Sequence, residues 1–319
     1  MSQQFTDYVK ESFGAKATPK ARRILTSLIQ HIHDFTRENH ITVDEWMYGV
    51  NFINRIGQMS DNKRNEGILV SDVLGLEALV DTLTHMSDNA GITSSAIIGP
   101  FYRENSPEYP YGGSIIQKEV GGEKTWVSGT VTDVNGKPLV GAKVEVWHCA
   151  PNGLYEQQDP DQPEYNLRGT VYTNEEGKYA FVCLRPTAYP IPYDGPAGDL
   201  LQMMDRHPMR PGHIHWMVSA PEHHTLVTQI YDRDCKYTKD DSVFAVKEDI
   251  IVDFKKVTAD DPELGDKGVL NRLDYDIVLT LEEEVQKVRA KATEKHKNIE
   301  AELEAHHKAV AEKLANMKV

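Results

Sequence analysis

Between Trp126 and Leu279 the apolar residues alternate with polar ones in short runs, with turn residues between them. A period of two sends successive side chains to opposite faces of a strand. The runs cover 126–133, 142–147, 169–173, 178–183, 213–219, 226–231, 250–254 and 275–279. Asn135-Gly136 separates the first pair, and Glu175-Glu176-Gly177 the second, so each pair reads as a β-hairpin. Many short strands without intervening helices predict an antiparallel β-sandwich.

The flanks differ. Ile24, Leu25, Leu28, Ile29, Ile32 and Phe35 follow the i, i+3, i+4 spacing of one helix face, with Thr18 as cap and Pro19 in the first turn. Thr42 and Glu45 form a capping box ahead of Trp46, Val50, Ile53 and Ile56. A third apolar run, Ile68 to Leu83, reads as a helix interrupted at Gly75. Ser106 to Gly113, rich in Pro, Gly and Tyr, marks a boundary. From Leu281 to Val319 there is no Gly or Pro, and Glu, Lys and Ala dominate, which predicts a long solvated helix with i, i+4 pairs at Glu283–Lys287 and Glu304–Lys308. The expected class is α+β: a helical domain over 1–105, a sandwich over 106–280 and a helical appendage over 281–319.

The chain has 319 residues, 35 basic against 49 acidic, for a net charge of −14. That balance disfavours binding to nucleic acid or an anionic membrane surface. Cys149, Cys183 and Cys235 form no CxxC pair, and any disulfide leaves one over, so a reducing compartment is the simplest reading. Met1 to Lys10 lacks the apolar core of a secretory signal. No run approaches the ~18 apolar residues of a membrane span. A cytoplasmic protein is expected.

Chemistry concentrates at Arg210-Pro-Gly-His-Ile-His-Trp216. On a strand, His213 and His215 point to the same face and can reach one metal ion; the competing reading is a hydrogen-bonded core histidine. His31 and His33 share the spacing on an expected helix, where two residues span about 200° of the axis, so they cannot chelate together. His306 and His307 read as solvated. Zinc would need a third His, a Cys or a carboxylate; HExxH is absent, and Cys149 and Cys183 read as buried small hydrophobes. Tyrosine, with 14 copies, is the richer supply, and Tyr155, Tyr165, Tyr189 and Tyr193 lie upstream of the histidines. A phenol with an unperturbed pKa near ~10 is held ionised at neutral pH only by a strongly Lewis-acidic ion such as Fe(III). Taken singly, each of these tyrosines is more often a packing residue.

Gly153-Leu-Tyr155, Asn166-Leu-Arg168-Gly, Leu184-Arg-Pro-Thr-Ala-Tyr189-Pro-Ile-Pro and Arg210-Pro-Gly-His213-Ile-His215 together resemble the intradiol ring-cleaving dioxygenases, the catechol and hydroxyquinol 1,2-dioxygenases. The resemblance spans roughly residues 20 to 280 and includes Gly99-Pro100-Phe101-Tyr102. It implies one non-haem Fe(III) per subunit, held by Tyr155, Tyr189, His213 and His215. It makes Arg210 and Gln229 the pair beside the substrate, with Tyr189 the displaced phenolate that takes a diol proton. It leaves Tyr165, Tyr172, Tyr179 and Tyr231 as structural. A salt bridge with a carboxylate such as Asp205 is the plainer role for Arg210.

The implied reaction opens a small aromatic diol between its hydroxyl-bearing carbons with O2, giving a cis,cis-muconate or a maleylacetate-type product in aromatic catabolism. The implied pocket wall is Leu69, Asp72, Ile98, Gly99, Pro100, Phe101, Ile191, Pro192 and Val243. Asp72 and the run from Tyr189 to Pro196 resemble the hydroxyquinol branch, where a polar group meets the third hydroxyl; Asp72 can also be a helix cap. The family further implies a homodimer through the N-terminal helices, with a phospholipid-like molecule bound between them; those apolar faces can instead cover the sandwich. The C-terminal helix departs from the shorter family members and reads as a surface or dimer-strengthening appendage. Two other classes remain: a non-catalytic transthyretin-like sandwich that binds a small aromatic ligand, and a zinc hydrolase using His213 and His215.

Overall fold

The alternating runs build two sheets packed face to face. In this computed structural model, residues 3–85, 91–258, 261, 264 and 268–316 are described. The first sheet holds β1 (Gly113–Ser114), β2 (Lys124–Asp133), β5 (Lys178–Leu184), β11 (Lys255–Lys256), β12 (Asn271–Asp274) and β13 (Ile277–Leu279). Its order is β1-β5-β2-β12-β11, with β13 also beside β2. The second holds β3 (Lys143–Trp147), β4 (Arg168–Tyr172), β8 (His213–Ser219), β9 (Leu226–Asp232) and β10 (Ile251–Val252), in the order β10-β9-β8-β3-β4. A two-residue ladder joins β6 (Tyr189–Pro190) to β7 (Met209–Arg210).

The long ladders are antiparallel, as expected. The short strand β1 runs parallel to β5, β10 to β9, and β12 and β13 to β2. Val127, Val131, Tyr179 and Phe181 of the first sheet meet Val144, Val146, Ile214 and Trp216 of the second in one buried cluster. Each such side chain contributes roughly 1.5–3 kcal/mol on burial.

Both expected hairpins are corrected. The turn at Asn135-Gly136 forms, with Gly136 N donating to Asp133 O at 3.0 Å and Asp133 N to Lys137 O at 3.0 Å. Yet β2 pairs with β5, and β3 with β4 and β8. The turn at Glu175-Glu176-Gly177 likewise closes, with Asn174 N donating to Lys178 O at 2.9 Å, while β4 and β5 lie in different sheets. An alternating strand satisfies its apolar face equally well beside a partner or across a core from it. Turn chemistry fixes only the local reversal.

The helices α1 (Gln3–Glu11), α2 (Pro19–Glu38), α3 (Val43–Met59), α4 (Glu66–Val73), α5 (Leu76–Thr84) and α6 (Pro196–Met203) precede β7 in the chain. The long α7 (Glu282–Asn316) follows them. Thr18 Oγ1 caps α2, accepting from Ala21 N at 3.2 Å. The Thr42–Glu45 box closes with Thr42 N donating to Glu45 Oε2 at 2.8 Å. Gly75, at φ +70, separates α4 from α5 as the sequence suggests.

The chain forms two compact units, Met1–Asn51 with Gln286–Val319, and Phe52–Val285. This division falls within α3 and α7. In the first unit, His33 Nδ1 lies 3.0 Å from Thr6 Oγ1, and Arg23 pairs with Glu300 at 2.9 Å. The apolar face of α2 stays open: Ile24, Leu28, Ile32 and Phe35 are 46%, 49%, 51% and 58% exposed. In the second unit, buried Glu66 joins α4 to α6. Its Oε1 accepts from Ala197 N at 2.9 Å, at the positive end of α6, and its Oε2 from Arg64 Nε at 2.8 Å. Among the described residues no helix is long and apolar enough to cross a membrane.

Candidate metal centre

The centre is built on the outer face of the second sheet. Ile214, Trp216 and Val218 of β8 enter the sandwich core, so the alternate residues His213 and His215 face the other way. Strand register sets their neighbours: His213 lies opposite Tyr231, and His215 lies between Gln229 on β9 and Trp147 on β3. The Trp147 ring stacks on His215, with centroids 4.8 Å apart and planes 6° apart.

Two tyrosines arrive from outside this sheet. Tyr189 sits on β6 opposite Arg210 of β7. Tyr155 follows a turn closed by Gly153 N donating to Ala150 O at 2.8 Å. Gly153 has φ +83, and a Cβ there would lie 3.0 Å from Tyr189 Cβ, so glycine lets the two tyrosine-bearing segments approach. Arg168 Nε donates to buried Glu156 Oε2 at 2.6 Å, and its guanidinium lies over the Tyr155 ring at 5.6 Å. Arg103 adds a second bond to Glu156 at 2.7 Å. The carboxylate next to Tyr155 in sequence thus anchors its loop to β4.

Four donor atoms converge. His213 Nε2 is 3.2 Å from His215 Nε2, His215 Nε2 is 3.1 Å from Tyr155 Oη, and Tyr155 Oη is 3.4 Å from Tyr189 Oη. Donors bonded to one ion at about 2.0–2.2 Å stand roughly 3–3.5 Å apart. His213 Nδ1 lies 2.7 Å from Pro211 O, which assigns the proton to Nδ1 and leaves a lone pair on Nε2. His215 Nδ1 is buried without a partner, and Nε2 is the nitrogen this ring turns toward His213 Nε2 and Tyr155 Oη.

The electrostatics agree. Burial, then the Arg210 cation, hold His213 well below its usual value; burial, then His213, do the same for His215. Both rings are neutral, as ligands must be. Burial pushes the Tyr155 phenol well above its usual value, with Tyr189 beside it adding to the shift, and burial pushes Tyr189 up to about 12. Phenolates here require a strong compensating cation. Among the described residues no group of three His, Cys, Asp or Glu side chains could hold a metal, so the histidines find no zinc-type third ligand. Two neutral imidazoles and two phenols fit a hard trivalent ion.

Of the residues expected beside the substrate, Arg210 lies against this cluster, with Nη1 3.1 Å from His213 Nε2. Arg210 Nη2 donates to Gln229 Oε1 at 2.8 Å, and Gln229 Nε2 to Ile97 O at 2.7 Å. The carboxylate partner of Arg210 is Asp241, at 3.1 Å, and not Asp205. Phe101 stacks on Tyr155 at 4.4 Å, and Ile98 packs in the same apolar cluster. A Cβ on Gly99, at φ +71, would lie 3.3 Å from His215 Cε1. Leu69, Ile191 and Val243 share a second cluster with Tyr231. Pro100 and Pro192 are half-buried beside Gly99 and Ile191 in the chain. Asp72 lies inside α4 and does not cap it; it is 2% exposed, with Oδ1 unpartnered. Burial, then Glu77, raise its carboxyl above the usual range.

Tyr231, expected to be structural, lies beside the centre: its Oη donates to Gln229 Oε1 at 2.6 Å and accepts from Arg210 Nη2 at 3.1 Å. Its position two residues after Gln229 on one strand carried that signal. Asp241 and Trp147 were also unassigned. Of the other tyrosines, Tyr179 is in the sandwich core, Tyr165 Oη reaches Glu104 O at 3.2 Å, and Tyr193 is exposed. Cys149 and Cys183 are buried and unpaired, as expected of small hydrophobes.

Comparison with known proteins gives the same family as the motifs. A family model described as "Catechol dioxygenase N terminus" matches residues 18–91, and one described as "Dioxygenase" matches 97–280. Catechol 1,2-dioxygenase of Candida albicans is 61% identical over 294 residues, covering 92% of this chain and 97% of that protein. Hydroxyquinol 1,2-dioxygenase of a Rhizobium species is 40% identical over 266 residues, covering 82% and 89%. The crystal structure of hydroxyquinol 1,2-dioxygenase from Pseudomonas putida superposes with a TM-score of 0.80 at 37% identity, covering 88% of this chain and 98% of that one. Intradiol dioxygenases use non-haem iron. The chain belongs to the intradiol ring-cleavage dioxygenases and is an enzyme of that family.

Proposed function

We propose that this enzyme cleaves catechol or hydroxyquinol between the two hydroxyl-bearing carbons with O2, at one non-haem Fe(III) held by Tyr155, Tyr189, His213 and His215. The observation that carries the reading is the convergence of two phenol oxygens and two neutral imidazole nitrogens within 3.1–3.4 Å of one another along the cluster. When bound, the ion supplies a Lewis-acidic anchor for both oxygens of the diol and the electronic route between diol and O2.

The chain's own groups do the rest. Tyr189 Oη, as phenolate, is the base that takes a diol proton. Arg210 is always cationic and directs Nη1 toward the donor cluster, 3.1 Å from His213 Nε2, where it stabilises developing negative charge. Gln229 and Tyr231 hold the other side of its guanidinium. The four ligands, Arg210 and Gln229 are at most 3% exposed, so these interactions act in a dry, low-dielectric site. Phe101, Ile98 and Gly99 form the wall nearest the ligands. Asp72, kept protonated, offers a donor to the third hydroxyl of hydroxyquinol, while resemblance to the Candida enzyme favours catechol; relative kcat/KM ranks the two.

The helical region 1–105 then serves as dimerisation domain and lid, 106–280 as the catalytic sandwich, and 281–319 as an appendage. The open α2 face suits a homodimer. Three free cysteines suit a reducing compartment, and we assign the enzyme to the cytoplasm.

Turnover of catechol under ¹⁸O2 tests the reaction. The expected product is cis,cis-muconate with one labelled oxygen in each carboxylate. An extradiol semialdehyde product, or no turnover of either diol by the iron-loaded protein, would overturn the reading.

A further inference from the structure

The guanidinium of Arg210 is buried, and its five N–H bonds are not shared evenly. Nε donates to Asp241 Oδ1 at 3.1 Å. Nη2 donates to Asp241 Oδ2 at 3.3 Å, Gln229 Oε1 at 2.8 Å and Tyr231 Oη at 3.1 Å. Nη1 alone faces the ligand cluster. The bidentate grip on the Nε–Nη2 edge is what fixes this division, since a fork-to-fork pair sets the plane and rotation of a guanidinium.

The Asp241 carboxylate has a second task. Oδ1 accepts from Val243 N at 3.3 Å and Oδ2 from Ala245 N at 3.1 Å. Its side chain is 2% exposed, and the loop it closes is held from outside by Arg206, which donates to Ser242 O at 2.6 Å and to Val73 O of α4 at 2.8 Å. One carboxylate therefore fixes both the cation and the loop that carries Val243.

We propose that Asp241 is a positioning residue for ring cleavage: it aims Arg210 Nη1 at the space where the four ligand atoms meet. This rests on the reaction proposed above. Each carboxylate oxygen accepts from Arg210 and from a backbone N–H, so whichever way an amide at 241 is turned, its NH2 group faces an Arg210 N–H and the N–H of Val243 or Ala245; both donors lose their acceptor and the guanidinium turns away. Misplacement of a catalytic group by about 1 Å costs on the order of 10²-fold in rate.

The test is a double-mutant cycle with Asp241→Asn, Arg210→Gln and the double variant, each loaded with iron and measured for kcat, KM, iron content and visible absorption. Asp241→Asn should retain iron and its visible band, bind catechol anaerobically with little change in affinity, and lose about 10²-fold in kcat. The double variant should lose no more than Arg210→Gln alone, because Asp241 acts through that residue. Losses that multiply, or an Asp241→Asn enzyme with full kcat, would overturn the proposal. If Asp241→Asn does not fold, Asp241→Glu, which keeps the charge but shifts the fork, runs the same cycle with the same criteria. Wild-type protein that is colourless with iron or turns over neither diol would instead refute the proposed reaction.

Discussion

Asp72 carries a buried carboxyl with one unpartnered oxygen, and this has a consequence for stability. Its pKa is raised in the fold by burial and by Glu77, so the folded chain keeps a proton that the unfolded chain releases. Between the ordinary carboxylate range near ~4 and the raised value, the folded state binds more protons, and stability falls as pH rises through that window. Asp72→Asn removes the cost. The variant should melt higher than wild type by about 2–4 °C at neutral pH, and the difference should vanish near pH ~4. Equal melting temperatures at neutral pH would show that Asp72 is ionised at no cost. The same residue tests specificity: the amide should lower kcat/KM for hydroxyquinol more than for catechol.

At the scale of elements, the Tyr155 turn meets Tyr189 of β6 across Gly153. Gly153→Ala places a side chain at φ +83 and 3.0 Å from Tyr189 Cβ, which should destabilise the protein by about 1–3 kcal/mol and reduce its iron content. Gly57→Ala in α3, where nothing lies within 4 Å, is the control and should be neutral or stabilising by up to ~1 kcal/mol. Denaturant melts and iron analysis of the pair check both; an unchanged Gly153→Ala protein would contradict the close approach. Strand positions were legible in the sequence because period-two alternation is a local property. Their partners were not: Val127 and Val144 have the same apolar demand whether side by side or across the core, and they lie across it. His213 and His215 were legible as a pair because a strand imposes their common face. Asp241 was not, since an aspartate in a loop looks like any turn residue until β7 brings Arg210 against it.

On the scale of the whole molecule, every residue gathered around the donor cluster lies in the unit Phe52–Val285, while the open α2 face belongs to the other unit. Chemistry and assembly should therefore be separable. Light scattering should find wild type at twice the chain mass, and Leu28→Lys with Phe35→Lys should give monomers that keep kcat per subunit within about threefold, because the substituted residues and the aligned groups belong to different units. A monomeric wild type would contradict the dimer; an inactive monomer would contradict the separation. The proposed reaction requires two tyrosinates to meet one iron, and visible absorption of the iron-loaded protein reads that most directly. It predicts a broad tyrosinate-to-Fe(III) band that shifts on anaerobic addition of catechol and weakens in Tyr155→Phe. A protein that stays colourless after reconstitution with Fe(III) would contradict it.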